Sequence, residues 1–160
     1  ISKFNKKMKY AVMQQNHYYY RLNLQAQNNK HWLGSRVCIK KYLKSPQWLR
    51  NLKFKKRPFW RIDKLRLNNI IEKGGWHFCN LKTADELLYK YKNLCETKDD
   101  YVFNEKINEK FLKIEEIEKK IKDRVDLIGR KEKFIIQKLD NTFPNYVLEN
   151  IDQYKKWIAD

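Results

Sequence analysis

Three cysteines, four glycines and three prolines are all that the 160 residues hold. Cys38, Cys79 and Cys95 stand far apart with no CxxC pair, which argues against a zinc site or a disulfide framework and leaves reduced thiols as the default. No uncharged apolar run approaches the roughly 20 residues that span a bilayer, and no signal-peptide pattern opens the chain. The common enzyme signatures are missing as well: there is no Walker loop, GxGxxG, GxSxG or HExxH. Nor is there an Asp-x-Asp pair to hold a divalent ion against a diphosphate. Asp99-Asp100 comes nearest, but adjacent carboxylates in a polar stretch diverge and read as surface. The scarcest thing of all is acid in the first half. Over positions 1–70, eighteen lysines and arginines face one acidic residue, Asp63, while positions 71–160 carry eighteen of each sign. The whole net charge of +17 therefore belongs to the first segment, which calls for an anionic partner: nucleic acid, anionic lipid, a sugar-nucleotide diphosphate or an acidic region of a longer chain.

What is present suffices for a folded globule. Hydrophobic residues make up 42% and aromatics 14%, against intrinsic disorder and enough for one domain or part of a larger one. The chain opens on Ile1, not Met, which reads as an internal segment or a processed product. Residues 8–24 alternate as one long strand or two short ones, Asn28-Asn29-Lys30 marks a turn, and the alternation around Ser35, Val37 and Ile39 predicts a strand pairing with the first. Ser45-Pro46 reads as N-cap and first helical residue of a short helix through Trp48, Leu49 and Leu52. Residues 53–61, basic and aromatic with a proline inside, read as a loop. Short strands are expected over 69–72 and 76–80, on either side of Gly74-Gly75. Thr83-Ala84-Asp85-Glu86 is a capping box opening a helix with Leu87, Leu88, Tyr91 and Leu94 on one face. A longer helix is expected from about Asn104 to Leu127, ended by Gly129, then a strand over 134–139 and a last amphipathic helix from Pro144. The result is a mixed α/β set without repeats: a strand-rich basic stretch 1–80 and a helix-rich stretch 81–160.

The chemistry concentrates in Lys73-Gly74-Gly75-Trp76-His77-Phe78. Paired glycines permit backbone angles and close approaches that a Cβ forbids, and Trp, His and Phe stack on sugars or bases, ligate metals and shuttle protons. Taken alone, the run reads first as a glycine turn into a strand whose Trp and Phe are core, with His77 half-buried, and only second as a site. His17, beside three tyrosines, reads as structural before it reads as a ligand or base. A basic, aromatic first half also suits nucleic-acid binding, although RNA-binding, zinc-finger and helix-turn-helix signatures are missing.

Residues spread in order along the chain carry a resemblance. They are Tyr19, Tyr20, Leu22 and Asn23; Trp32, Gly34 and Ser35; Pro46, Gln47, Leu49 and Arg50; the block Gly74, Gly75, Trp76, His77 and Phe78; Asp126, Leu127, Gly129 and Arg130; and Phe143, Pro144, Tyr146, Val147, Glu149, Asn150 and Tyr154. In these the chain resembles the C-terminal part of glycosyltransferase family 17, whose members add the bisecting GlcNAc to N-glycans. The chain departs from the pattern at Cys79, where the family usually has Ser, and the family's acidic Asp-x-Asp-Glu motif would lie upstream of Ile1. The resemblance implies a GT-A-like α/β fold, a mixed sheet flanked by helices, as the C-terminal portion of one larger catalytic domain. It implies inverting transfer of GlcNAc from UDP-GlcNAc to a mannose-containing glycan, with a divalent metal, Mn or Mg, held mainly by upstream ligands. On that reading His77 and Asp126 are the catalytic candidates and His77 also a metal ligand. Gly74, Gly75, Trp76, Phe78, Tyr20, Arg36, Arg50 and Arg130 would bind substrate. The partners would be a nucleotide-sugar donor and a glycan acceptor, with no nucleic acid. The compartment would be the Golgi lumen if the chain is like the animal members, otherwise the cytoplasm. The competing reading is a non-catalytic basic domain that binds nucleic acid or another polyanion; a third is a degenerate transferase kept as a scaffold.

Overall fold

The computed structural model describes residues 4–5, 7–52, 60, 69–93, 113–127 and 131–160. It is mixed α/β, with two sheets and several helices, and divides into two compact units: residues 1–17 with 31–77, and residues 18–30 with 78–160. Among the described residues no helix is long and apolar enough to cross a membrane.

In the first unit the alternating run that opens the chain breaks into two strands, β1 (Tyr10–Met13) and the start of β2 (Gln15–Tyr19). After β3 (Leu24–Ala26) and β4 (His31–Trp32) comes β5 (Arg36–Cys38), which pairs with the first alternating run as expected, lying antiparallel to β1 with Ala11 opposite Val37. On the other side of β1 lies β6 (Ile70–Ile71), in parallel. Helix α1 (Pro46–Asn51) begins as expected: the Ser45 hydroxyl accepts the Trp48 N–H at 3.0 Å, and Pro46 occupies the first turn where its missing donor costs nothing. The unit's core is fully buried Val12 with Leu52, against which Tyr10, Leu33, Trp48 and Leu49 pack. Of the expected loop over 53–61, only Trp60, an exposed turn residue, lies within the described residues.

In the second unit the end of β2 pairs with β3, and β3 with β8 (Phe134–Ile136), both antiparallel. The strand β7 (Trp76–Cys79) ends in this unit, where the Tyr20 N–H reaches the Cys79 carbonyl at 3.0 Å. Helix α2 (Ala84–Asn93) opens on the expected capping box, with the Thr83 N–H donating to the Glu86 carboxylate at 2.9 Å and the Glu86 N–H to Thr83 Oγ1 at 3.4 Å. It buries Leu87 and Tyr91. Helix α3 (Ile114–Lys122) buries Ile117 and Ile121 at the four-residue step. Each such aliphatic side chain contributes about 1.5–3 kcal/mol by leaving water. Together with Tyr20, Leu24, Ala26, Leu127 and Phe134 they form this unit's core.

Two boundaries differ from expectation. Helix α3 stops at Lys122 and does not run to Leu127. Arg124 takes a left-handed turn (φ 59°), Val125 bridges Lys133, and the Asp126 N–H donates to the Glu132 carbonyl at 3.1 Å. Pairing with the 132–134 stretch has replaced the helical bonds, although Val125 continues the helical spacing. Gly129, the expected cap, and residues 104–112 lie outside the described residues. The last helix is broken too: α4 (Asn145–Glu149) gives way at Asn150 to α5 (Ile151–Tyr154).

Buried polar clasps tie distant segments of the second unit. Both Glu132 oxygens are used at the Asn28-Asn29 turn, taking the Asn28 N–H at 2.6 Å and the Asn29 amide at 2.7 Å. Asn23 exchanges two hydrogen bonds with the Ala159 backbone, at 2.8 and 2.7 Å. The Tyr20 hydroxyl donates to Asp126 Oδ1 at 3.1 Å and accepts the Leu127 N–H at 3.3 Å. Burial first, then electrostatic coupling to Tyr91 and Asp126, raises the Tyr20 phenol far above its ordinary range, so it stays protonated and can donate. Tyr20→Phe removes that donor and is expected to lower unfolding free energy by about 1–3 kcal/mol, measured by urea denaturation. Unchanged stability would contradict a clasp there.

Candidate functional site

The site begins with two glycines that the backbone requires. At Gly74 a Cβ would come within 2.7 Å of the Met13 Cβ and 3.1 Å of both the Gln14 nitrogen and the Ile71 carbonyl oxygen. The chain is that close because the Gly74 N–H donates to the Gln14 carbonyl at 2.7 Å, while the Gln14 N–H donates to the Ile71 carbonyl at 3.0 Å. Gly75 has a φ of +117°, a conformation that L side chains rarely adopt. The pair thus serves the turn that ends β6 and starts β7, seating β7 beside β2 through the Asn16 N–H to Gly75 carbonyl bond of 2.9 Å.

Along β7 the next residues are held from both sides. Gln15 donates its amide to the Trp76 carbonyl at 3.1 Å and accepts the Ser35 hydroxyl at 2.8 Å. The His77 imidazole stacks on the Trp32 indole, centroids 3.8 Å apart and planes 12° from parallel, and its centroid stands 5.0 Å from that of buried His17. Trp32 reaches that position because β4 pairs with β2, placing Trp32 opposite Gln15 and His31 opposite Asn16. Beyond Trp32 lies Gly34: a Cβ there would fall within the indole ring. The Gly34 carbonyl in turn accepts from Arg36 Nη1, whose Nε donates to the Leu52 carbonyl at 2.7 Å. Burial, then the charge of Arg50, lowers Arg36 from its usual range. The first unit therefore carries a continuous row, His17, His77, Trp32, Gly34 and Arg36, with Arg50 within electrostatic reach of its end.

Burial also lowers His77 from the ordinary histidine value of about 6.5. Its imidazole is neutral at pH 7 and keeps a lone pair for a proton or a metal. The folded chain takes up that proton only at lower pH than the unfolded chain does. Within that window the unfolded state binds more protons, so His77 costs stability as pH falls.

The remaining candidates from the sequence lie elsewhere. Tyr20 and Asp126 belong to the second unit, where both are buried and joined to each other. That pairing accounts for them as a clasp of the core, and a carboxylate 7% exposed is poorly placed to take a proton from a sugar hydroxyl. Phe78, also of the second unit, packs on Tyr18, which in turn packs on Phe143. Arg130 lies outside the described residues. Trp32, Gly34 and Gln15 are not among the sequence's candidate site residues. Their role depends on the register of a two-residue strand, which has no local sequence signal, although the adjacent Trp32 and Gly34 of the resemblance hinted at it.

A protonated imidazole quenches an indole stacked on it, so Trp32 should report the His77 titration. Acidification is expected to lower tryptophan emission with a midpoint below about 6.5, and the step should vanish in Trp32→Phe and shrink in Gly34→Ala, which must displace the indole. A midpoint above that value, or a step that survives Trp32→Phe, would contradict the stack. No protein-family model, curated protein or solved structure matches the chain.

Proposed function

We propose that the chain is the C-terminal part of an inverting glycosyltransferase with a GT-A-like sheet, moving GlcNAc from UDP-GlcNAc to a mannose-containing glycan. The observation that carries the reading is the row in the first unit. With Arg50 within electrostatic reach of its end, it gathers three separated blocks of the resemblance: Trp32 and Gly34, Arg50, and Gly74 through His77. Core packing alone does not ask for two arginines within electrostatic reach of each other, with no acid among the first 62 residues. A diphosphate does, since its charge relieves their repulsion and its oxygens match the guanidinium fork.

Each part then has work to do. Arg50, exposed on α1, is the group free to meet the donor diphosphate; Arg36, engaged with two carbonyls, positions the strand beside it. The Trp76 ring supplies the kind of aromatic surface on which a pyranose face stacks, while Trp32, covered by His77 and Gly34, holds the histidine. His77, neutral and with its ring plane set by Trp32, can offer one nitrogen to a divalent ion. When bound, such an ion would neutralise the departing diphosphate. Among the described residues of this unit the one carboxylate is Glu72, so the oxygen ligands that Mn or Mg prefer would come from outside them. The buried Tyr20–Asp126 pair does not serve as the base here.

With UDP-GlcNAc, Mn²⁺ and a mannose-containing acceptor, the natural polypeptide should form a GlcNAc-extended product detectable by mass spectrometry. His77→Ala should lower turnover at least about tenfold with the thermal unfolding profile kept. Turnover within about twofold of wild type would return His77 to a purely structural role, and no product from the wild-type protein would contradict the transferase reading itself.

A further inference from the structure

A different face of the first unit has its own chemistry. After β5 the chain makes a single 3-10 turn, Lys40–Tyr42, and then runs through Leu43 and Lys44 to the Ser45 cap of α1. Lys40, Lys41 and Lys44 are exposed, and between them Leu43, a large apolar side chain, is 38% exposed. Beneath them the rings of Tyr42, Tyr10 and Trp48 pack edge to face, with centroids 6.1 and 5.4 Å apart. The lysines rest on those rings: the Lys41 ammonium lies 4.9 Å from the Tyr42 centroid, that of Lys9 5.2 Å from the same ring, and that of Lys44 5.7 Å from Trp48.

We propose that this face docks the protein reversibly on an anionic lipid surface. Clustered lysines around a protruding leucine, over tyrosine and tryptophan, match the composition of an interfacial membrane contact: ammonium groups at the phosphates, one apolar side chain in the headgroup boundary, aromatic rings at its level. Charge complementarity favours an anionic surface, since positions 1–62, which carry the patch, hold no acidic residue of their own. Single-stranded nucleic acid fits less well. Bases need open aromatic faces to stack on, whereas these rings are engaged edge-on with one another and have lysines above them. Lysine, a hydrated point charge, also suits diffuse attraction to headgroups better than bidentate base or phosphate recognition. The proposal does not rest on the transferase reading, because none of these residues belongs to the row that includes His77.

The test is co-sedimentation of the natural polypeptide with vesicles of phosphatidylcholine alone and of phosphatidylcholine mixed with phosphatidylserine, at low and high salt, beside a single-stranded DNA oligonucleotide. Binding is expected to the phosphatidylserine vesicles only and to weaken steeply with salt. The triple variant Lys40→Gln, Lys41→Gln, Lys44→Gln should weaken it on the order of a hundredfold. Leu43→Ser, which leaves every charge in place, should weaken it several-fold, and keeps the test decisive if the triple variant does not fold. No binding to phosphatidylserine vesicles, equal binding by wild type and both variants, or tighter binding to the oligonucleotide at physiological salt would each overturn the proposal.

Discussion

The arrangement of the first unit depends on one close approach, that of Gly74 to Gln14. Two backbone hydrogen bonds draw the Gly74 turn and β6 against the junction between β1 and β2, and the distances left there admit no Cβ at Gly74. Because of that contact β6 can run parallel to β1 while β7, a few residues later, starts beside β2. His77 is thereby delivered to the side of β2 on which β4 presents Trp32. The glycines thus act first on folding and through it on chemistry. In the proposed function their service is to position the histidine.

The second unit is organised differently, by polar groups buried in complementary pairs. Tyr20 with Asp126, Asn23 with the backbone of Ala159, and Glu132 with the Asn28-Asn29 turn each join segments about a hundred residues apart or more. Buried polar groups of this kind are expensive to leave unsatisfied, so each clasp specifies one arrangement of its segments. This is why several residues that carry the resemblance, Tyr20, Asn23 and Asp126 among them, are explained by the fold itself.

Local signals in the sequence were legible wherever the deciding chemistry was local. The Ser45 cap and the Thr83–Glu86 box follow from short-range rules, and the alternation around Val37 marks β5 as a strand without saying in which direction it pairs. The parallel pairing of β6 with β1 has no such signal, and neither has the register that sets Trp32 opposite Gln15. Helix α3 shows the same limit from the other side: its apolar spacing continues through Val125, but pairing of residues 124–126 with 132–134 wins, and the helix ends at Lys122. Of the candidate site, His77 and its glycines could be picked out from composition and order alone. Its neighbours could not, because Trp32 and His17 meet it only through strand pairing.

Charge and geometry converge on the same segment: the whole excess of +17 lies in positions 1–70, and the row from His77 through Arg36 draws most of its members from there. The most direct measurement of the central claim uses Mn²⁺ as a paramagnetic probe. In the natural polypeptide, Mn²⁺ with UDP-GlcNAc should selectively broaden the NMR signals of the His77 imidazole and the Trp32 indole, and diamagnetic Mg²⁺ with the same donor should not. Broadening that spares both, or that is the same without the donor, would contradict a nucleotide-sugar site at His77.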